Sequence, residues 1–242
     1  MNNISRLKSE MKRIKSLGWI KCDHKNYGAV GLKLEKLLKI NPDNFEIPDY
    51  EGIEIKTKKS IYEDKISLFC ATPDSFLFEI ARLHSLYSYP DSKDSRYNVL
   101  NTCISSKYKI RIKNDIYFKL EVDYKNERIT LLVYDKNNLI DKQTSWSFET
   151  LKEKLERKLK FLCFVSVDTV FSQNQLYVKY KEDNYYSLRS FNTFIELIDQ
   201  GIITISIRIG VYKGKYRNGQ LHDHGTAFCI EKNNLELLFD KI

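Results

Sequence analysis

Missing from this 242-residue sequence are the features that would place it in a membrane or in an oxidising compartment. No apolar run approaches the ~20 residues of a transmembrane helix, and no short apolar segment precedes a cleavage site. The five cysteines are odd in number, and no pair has CxxC spacing, which argues against a disulfide framework and against a cysteine-based zinc site. We therefore expect a soluble, cytoplasmic protein with reduced thiols and no membrane contact.

Internal repeats, low-complexity segments and linkers rich in Gly, Ser or Pro are also missing. A chain of this length can bury a full hydrophobic core without a second domain. Nothing in the composition forces a domain boundary. The sequence therefore predicts a single domain over 1–242, with or without two lobes.

Positive charge exceeds negative charge: 40 Lys and Arg against 32 Asp and Glu give a formal net charge of +8. Such an excess favours a polyanionic partner such as nucleic acid. Arginine is scarce, however, and a composition rich in Lys, Asn, Ile and Tyr is also typical of AT-rich genomes. The charge is thus compatible with nucleic-acid binding and with an ordinary solvated surface.

Helical and strand patterns alternate along the chain. Apolar residues recur at helical spacing over 3–17, and isoleucines alternate with polar residues over 202–212. Mixed helices and strands at these intervals predict an α/β (α+β) fold around a central mixed sheet. Further helices are predicted at 29–40, at 76–87, after Ser147 and at 190–199, and strands at 44–47, 52–58, 65–71, 115–124, 127–134, 162–167 and 224–231; the stretch 88–109 is polar.

Two acids and a lysine lie close together in the segment Pro48-Asp49-Tyr-Glu-Gly52-Ile-Glu54-Ile-Lys56-Thr57. On a strand, residues i and i+2 point to the same face, so Glu54 and Lys56 are expected side by side. Gly52 permits a tight turn that returns Asp49 to Glu54. Two converging carboxylates form a hard-oxygen site for Mg²⁺, and an adjacent ammonium can polarise a water. The spacing favours metal-dependent hydrolysis, although it also occurs on ordinary hairpin surfaces.

Glu35 lies on the preceding predicted helix, at the edge of its inward face. An unpaired buried carboxylate is costly, so an inward Glu35 requires a metal site or a lysine partner. An outward Glu35 would instead pair with Lys39 at i+4 on the helix surface. The spacing of residues does not decide between these two interpretations.

Two blocks of the sequence carry a family resemblance. The first is Gly28-Ala-Val-Gly31-Leu-Lys-Leu-Glu35-Lys-Leu-Leu-Lys-Ile with the acidic segment above, and the second is Ile207-Arg208-Ile-Gly210 with His222-Asp223-His224-Gly225-Thr226-Ala227-Phe228. With Ser67-Leu-Phe and Trp146-Ser-Phe-Glu-Thr-Leu, these blocks resemble the MvaI/BcnI family of restriction endonucleases. That family belongs with the MutH branch of the PD-(D/E)XK nucleases. The resemblance extends from residue 17 to 231 and is weakest at 75–110.

The resemblance implies a PD-(D/E)XK restriction-endonuclease-like core with a second, DNA-recognition lobe. The catalytic lobe would centre on 1–75 with parts of 110–170, and the recognition lobe would be mainly 170–242, with 76–110 contributing. Asp49, Glu54 and the carbonyl of Ile55 would bind Mg²⁺ for hydrolysis of a DNA phosphodiester. Lys56 would orient or activate the attacking water, and Glu35 would be an accessory acid.

The DNA-binding residues implied by the resemblance are Arg208, His222, Asp223 and His224, which correspond to the family's recognition region. Arg is the usual reader of guanine, and His or Asp can reach base edges. Lys58, Lys59 and Arg217 are further candidates, the two lysines as phosphate contacts without sequence preference. The two histidines could alternatively bind a metal or stabilise a turn, but no further His or Cys obviously completes a zinc site.

One position departs from the family pattern and leaves the DNA sequence open. Many members have arginine directly after the Phe of the HDHGTAF block, where this chain has Cys229. If that arginine reads a base, the contact is absent here or comes from Arg217 or Lys215. A short C/G-rich palindrome or pseudo-palindrome is the family-level expectation. Segment 76–98 is either a further DNA contact or a core helix.

The sequence and the resemblance together predict a Mg²⁺-dependent type II restriction endonuclease that acts on double-stranded DNA as a monomer. A cognate DNA methyltransferase would be its genetic, not physical, partner. One alternative is a MutH-like nicking endonuclease of mismatch repair, acting at hemimethylated sites with an activating partner. Another is a sequence-specific DNA-binding protein that no longer cuts, although intact Asp49, Glu54 and Lys56 argue against it.

Overall fold

The structure of this chain is a computed structural model that describes residues 3–26, 28–40, 47–59, 65–74 and 78–242. Within these ranges, no helix is both long and apolar enough to cross a membrane. The helices are α1 (Asn3–Ser16), α2 (Ala29–Leu37), α3 (Glu79–Tyr87), α4 (Phe148–Leu159), α5 (Phe191–Asp199) and α6 (Leu235–Leu238), with a 3-10 turn at Lys232–Asn234. The strands are β1 (Ile20–Lys21), β2 (Ile53–Lys59), β3 (Lys65–Cys70), β4 (Tyr89–Asp91), β5 (Asp94–Ile104), β6 (Ile110–Lys113), β7 (Ile116–Asp123), β8 (Arg128–Asp135), β9 (Asn138–Asp141), β10 (Ser145–Ser147), β11 (Phe161–Ser172), β12 (Gln175–Leu188), β13 (Thr204–Val211), β14 (Leu221–Asp223), β15 (Ala227–Glu231) and β16 (Phe239–Lys241).

The chain folds into two compact units, each built from separate stretches of sequence. Unit one comprises Met1–Asp64, Leu155–Arg189 and Leu238–Ile242, and unit two comprises Lys65–Lys154 and Ser190–Leu237. Residues 170–189, which we assigned to the recognition lobe, lie in unit one because β12 forms a hairpin with β11. The catalytic and recognition roles of the two lobes stay predictions.

Unit one is a mixed sheet packed against helices. Its strand order is β1-β12-β11-β2, and β16 also pairs with β12. β2 runs parallel to β11, whereas β11 and β12 are antiparallel. The helical spacing of α1 and α2 buries their apolar stripes against the sheet, where the core contains Leu7, Met11, Ile14, Val30, Leu34, Ile53, Cys163 and Val165. The parallel pair explains why β11 reads as a continuous apolar run rather than an alternating one.

Unit two contains two sheets whose described strand pairs are antiparallel. One has the order β10-β8-β7-β6 with β9 on β8, and the other β3-β15-β13-β5-β4 with β14 on β13. The alternation predicted for 202–212 is confirmed in β13. Ile205, Ile207 and Ile209 are buried on one face, so Arg208 and its i−2 neighbour project from the other.

The mixed α/β fold is confirmed, and the differences in single elements have physical reasons. The polar stretch 88–109 contains β4 and the long strand β5, in which only Leu100 and Ile104 are buried. A strand with so few inward apolar residues gives no visible alternation in sequence. Helix α3 begins at Glu79; residues 76 and 77 of the predicted helix, and residues 44–46 of the predicted strand 44–47, lie outside the described residues.

Helix α3 is attached to unit two by a buried network of charged groups rather than by apolar contacts alone. Glu79 is 1% exposed and bonds Arg82, whose Nη1 lies 2.6 Å from Asp141 Oδ2. Tyr87 donates to the same Asp141 oxygen at 2.7 Å, and Thr144 accepts from Arg82 at 2.9 Å. Because of this network, the role of Arg82 is to stabilise the fold. This favours the interpretation of α3 as a core helix over the interpretation that it contacts DNA through Arg82.

We expect Arg82→Met to lower the free energy of unfolding by about 2–3 kcal/mol at pH 7, because it leaves two buried carboxylates without a counter-charge. The value lies below that for a fully buried pair because the Arg82 side chain is 24% exposed. Burial raises the pKa of Asp141, but the hydrogen bonds from Arg82, the Gln143 N–H and Tyr87, together with the charge of Arg82, outweigh burial and lower the pKa overall. A lowered pKa contributes stability above the unfolded pKa that is lost as the pH falls through the folded value.

The cost of Arg82→Met should therefore shrink in acid, once the pH falls below the unfolded pKa of an aspartate carboxyl. Urea denaturation at pH 7 and at about pH 2.5 measures this difference. Exposed Arg128 provides the control, and Arg128→Met should change stability by less than about 0.5 kcal/mol. An Arg82→Met cost below that of the control would contradict a stabilising network.

Candidate functional site

A two-residue turn brings the first predicted acid back onto strand β2. Tyr50 and Ile53 exchange backbone hydrogen bonds at 2.9 and 2.8 Å, and the two residues between them, Glu51 and Gly52, have φ of 43° and 90°. Positive φ at both central positions is typical of the type I′ hairpin turn. Asp49 then lies beside the strand, where its Oδ2 accepts the Ile55 backbone N–H at 2.8 Å. The turn predicted from Gly52 is therefore present.

Glu54 and Lys56 lie side by side on β2, as the strand alternation predicts. Lys56 Nζ is 2.5 Å from Glu54 Oε1. Glu54 is only 1% exposed, and within the described part of the chain its second oxygen, Oε2, is buried without a hydrogen-bond partner. A buried carboxylate oxygen left without a donor is costly unless a cation or a donor reaches it. Glu54 thus has one oxygen held by lysine and one available to a ligand.

Glu35 faces strand β2 and not the helix surface. A Cβ placed on Gly31 would lie 3.6 Å from Thr57 Oγ1 and 3.9 Å from Glu35 Oε1, so both side chains border the same space. Lys39 lies beyond the end of α2 with φ of 58°, so helical i+4 geometry does not continue to it. Among the described residues Glu35 has no ion pair with Lys39. Of the two interpretations from sequence, the inward one holds.

The carboxylates of this group influence one another's protonation. Burial raises the pKa of Glu54; Lys56 opposes that effect, and the negative charge of Asp49 adds to it. Burial also raises the pKa of Glu35, again with a contribution from Asp49 and opposition from Lys56. These mutual effects indicate that Glu35, Asp49, Glu54 and Lys56 share one electrostatic site. A divalent cation would relieve the repulsion among its acids.

The carboxylates of this group are the donor type that a hard divalent cation prefers. No set of three or more His, Cys, Asp or Glu residues in the described ranges is arranged to hold a metal by itself. The buried free oxygen of Glu54 is the observation that favours a cation here, because hard divalent cations prefer carboxylate oxygen. Lys58 continues β2 half-buried, whereas the side chain of Lys59 lies outside the described part.

A second cluster lies in unit two, where β13, β14 and β15 meet. Arg208 donates through Nε to the Gly225 carbonyl at 2.9 Å, and its own carbonyl accepts the His224 N–H at 2.9 Å. Asp223 Oδ1 accepts the Gly225 N–H at 2.8 Å. Gly225 has φ of 85°, and an added Cβ would lie 3.1 Å from Cys70 Sγ, so glycine is required at this turn. The predicted residues Arg208, Asp223 and His224 are therefore held together.

Rings stack through this cluster. The His222 ring lies parallel to Tyr212 with centroids 4.0 Å apart, and His224 lies 3.9 Å from His222. The Arg217 guanidinium is 5.2 Å from the Tyr212 ring. Partial desolvation lowers the pKa of His224, and the nearby His222 and Arg208 add to the shift, so its neutral form is favoured. Stacking on Tyr212 accounts for the place of the His222 ring, and a tilted ring contact with His222 accounts for that of His224.

Cys229 lies on the same sheet face as Arg208. It pairs with Thr204 across the β13–β15 ladder, and Thr204 and Arg208 are four residues apart on one strand. Cys229 is 6% exposed, and burial raises the pKa of its thiol. A neutral thiol therefore occupies the position directly after the Phe of the HDHGTAF block.

Sequence reasoning missed Lys158 and Tyr212. Lys158 Nζ lies 3.7 Å from Glu54 Oε1, and Tyr212 stacks on His222. No local pattern points to Lys158, because its partner is far away in sequence. The sequence did contain a signal for Tyr212. It lies opposite the HDHGTAF block across a Gly- and Lys-rich turn, where an aromatic residue is a common cross-strand partner.

The chain has recognisable relatives among known proteins. Among solved structures it is similar to "Restriction endonuclease MvaI-cognate DNA substrate complex", with a TM-score of 0.91 and 28% identity over 100% of this chain and 98% of that one. It is also similar to "Restriction endonuclease MvaI in the absence of DNA", with a TM-score of 0.64 and 28% identity over 100% and 97%.

A curated protein, Cullin-3 of Saccharomyces cerevisiae, is 24% identical over 96% of this chain. The chain spans only 31% of the length of that curated relative. An identity this low over a part of the relative assigns no function.

One protein family, the MvaI/BcnI restriction endonuclease family, matches this chain over residues 8–239. This match agrees with the family expected from the acidic segment and the HDHGTAF block, and it covers nearly the whole chain. Both predicted clusters, around Glu54 and around Arg208, lie within the matched region. The chain belongs to the MvaI/BcnI restriction endonuclease family and is a type II, site-specific deoxyribonuclease.

Proposed function

We propose that this enzyme binds double-stranded DNA at a short specific site and hydrolyses its phosphodiester bonds with Mg²⁺ held in unit one. Membership in a restriction endonuclease family already suggests the use of a divalent metal. The observation that carries the proposal is the state of Glu54: buried, bonded to Lys56 through one oxygen, and free at the other. Such an oxygen, next to Asp49, favours a small hard cation.

Asp49, Glu54 and the carbonyl of Ile55 would hold the metal. When bound, the metal neutralises charge on the phosphate and lowers the pKa of a bound water. The hydrogen bond from Ile55 N–H fixes the Asp49 carboxylate, so the loop carrying Asp49 is already positioned. The parallel neighbour of β2, β11, which is itself paired with β12, supplies the rigid support that a catalytic group requires. We infer that unit one is the catalytic, PD-(D/E)XK-like lobe.

Lys56 orients the attacking water and stabilises charge on the phosphate. Its side chain is 26% exposed and its ammonium is anchored to Glu54 Oε1, so it can reach solvent and substrate from a fixed position. Glu35, facing the same space with a raised pKa, would be an accessory acid that holds or releases a proton near the water. Both roles require the inward orientation of these side chains.

Digestion of plasmid DNA followed by run-off sequencing of the products tests this proposal. We expect discrete products in Mg²⁺ and no products in EDTA, and the sequence of the ends would report the site and the cut position together. Specific DNA binding without cleavage in either Mg²⁺ or Mn²⁺ would contradict it. Cleavage confined to hemimethylated DNA in the presence of a mismatch-repair partner would point to a MutH-like nickase instead.

DNA recognition would be the role of unit two. Arg208 would read a guanine edge, with His222, Asp223 and His224 placed beside it by the turn at Gly225. Arg217 is exposed and would contact DNA from the end of the ring stack. In unit one, Lys58 and Lys59 would contact phosphates. MvaI, to which this chain is similar, was solved in a complex with its cognate DNA. This supports the proposal that the present chain also binds duplex DNA.

Arg208→Ala is expected to weaken binding to the cognate site by about 5–150-fold, corresponding to the about 1–3 kcal/mol of one bidentate base contact. Binding to unrelated DNA should change little. The matched comparison is Lys58→Ala, which should weaken binding to cognate and unrelated DNA alike and lower the salt slope by about one. Competition binding in Ca²⁺ at several salt concentrations distinguishes these outcomes, and an equal loss on both DNAs for Arg208→Ala would refute a base-reading role.

We further propose that the enzyme acts as a monomer in the cytoplasm and is encoded beside a cognate DNA methyltransferase. The methyltransferase would be a genetic partner that protects the host site. Light scattering during size-exclusion chromatography, with and without a cognate duplex, measures the first property. A dimer at concentrations where cleavage is maximal would contradict the monomer.

A further inference from the structure

Lys158 is a second lysine at the carboxylate of Glu54. Its Nζ lies 3.7 Å from Glu54 Oε1, the oxygen that Lys56 also contacts at 2.5 Å. Its side chain is 27% exposed, about as much as that of Lys56. Two ammonium groups therefore surround one carboxylate oxygen, while Oε2 of the same carboxylate is buried without a partner in the described part.

The fold fixes Lys158 in this place. Leu155 and Leu159 are completely buried, so the last turn of α4 has one permitted orientation, with Lys158 at the border of the buried stripe. One residue after the helix, β11 begins and pairs in parallel with β2, so that Leu162 is opposite Glu54. This short connection therefore places the end of α4 next to the start of β2.

The charge balance gives Lys158 a reason to be there. Glu54 is almost fully buried, and Asp49 and Glu35 add negative charge to the same site. The single ammonium of Lys56, on a side chain that is 26% exposed, leaves this site with excess negative charge when no metal is bound. A buried carboxylate whose counter-charge is removed destabilises the fold, so an additional cation at Oε1 stabilises the metal-free protein.

We propose that Lys158 is a positioning residue that holds the Glu54 carboxylate through Oε1, keeps Oε2 free for the metal, and supplies part of the metal's charge when no metal is bound. This inference rests on the proposed metal site. It has an unusual consequence, because the same positive charge that stabilises the empty site repels an incoming cation. Lys158 therefore lowers the affinity of the site for a metal ion, while it holds the Glu54 carboxylate in place before the metal binds.

Titration of the purified full-length protein with Mn²⁺, followed by electron paramagnetic resonance without DNA, tests the proposal. We expect Lys158→Met to bind Mn²⁺ about 3–5-fold more tightly than the wild type, the range of a partly exposed charge pair. Without metal, the same variant should melt about 2–4 °C lower. Lys158→Arg should behave as the wild type, and so should Lys152→Met, which removes an exposed lysine from the same helix.

Tighter metal binding in a less stable protein is a result that general structural damage would not produce. The double variant Glu54→Gln/Lys158→Met should melt at the same temperature as Glu54→Gln alone, because Lys158 acts through Glu54. Unchanged or weaker Mn²⁺ binding by Lys158→Met overturns the inference and leaves the proposed function intact. If the wild type binds no Mn²⁺, or if Glu54→Gln binds it equally well, the metal site itself is refuted and the inference falls with it.

Discussion

Replacing Lys56 with alanine is expected to slow cleavage of cognate DNA by about a thousandfold, while binding to that DNA in Ca²⁺ stays within about threefold of the wild type. The reason is geometric. Lys56 Nζ is held 2.5 Å from Glu54 Oε1, beside the free oxygen proposed to bind the metal. A group in that place can act on the attacking water and on the phosphate, and its loss removes stabilisation that arises mainly in the transition state.

Single-turnover cleavage with enzyme in excess measures this effect directly, since product release does not contribute. Lys12→Ala, an exposed lysine of α1, is the control for loss of one positive charge and should cleave normally. Lys158 remains near Glu54 in the Lys56→Ala variant, so the carboxylate keeps one cation and the fold should persist. Cleavage by Lys56→Ala within tenfold of the wild type would remove Lys56 from the catalytic group.

Glu54→Gln should have an effect of similar size by a different route. The amide has nearly the same shape as the carboxylate but carries no charge, so the site loses a metal ligand while its packing is kept. We expect cleavage to fall by about a thousandfold, which corresponds to the several kcal/mol that a bound metal supplies. Affinity for Mn²⁺ should fall by at least about tenfold, and DNA binding without metal should be unchanged.

Glu51→Gln offers a closely matched control, because it makes the same chemical change on an exposed residue of the turn before β2. It should leave cleavage and Mn²⁺ affinity unchanged. Melting curves show whether both variants fold. We expect Glu54→Gln to fold, because Lys56 and Lys158 are each about a quarter exposed and can be hydrated without the Glu54 carboxylate. Full cleavage activity in Glu54→Gln would exclude Glu54 as a metal ligand.

The local geometry of the acidic segment could be read from sequence because it depends on neighbours within a few residues. Strand alternation places Glu54 beside Lys56, and Gly52 marks the turn that returns Asp49. Glu35 could not be settled in this way. Its orientation depends on where α2 ends and on how closely Gly31 lets the helix approach β2, and helix ends are set by tertiary contacts as much as by sequence.

The features that sequence reasoning missed depend on pairing between distant segments. β12 carries charged and aromatic residues on both faces and became recognisable only as the partner of β11. β5 has few inward apolar residues, and its place between β13 and β4 makes it a strand. The contact of Lys158 with Glu54 likewise cannot be predicted from sequence, because it forms only when β11 pairs with β2.

The parallel pairing of β2 with β11 also orders events during synthesis of the protein. Ile53 is opposite Phe161, and the outer support of β11 extends to Leu188. A nascent chain therefore contains Asp49, Glu54 and Lys56 long before the ribosome has made the strands that hold them in place. Closing a loop of this length is slow compared with local folding. Chains released early by a stalled ribosome would therefore carry the candidate catalytic residues without the strand that supports them.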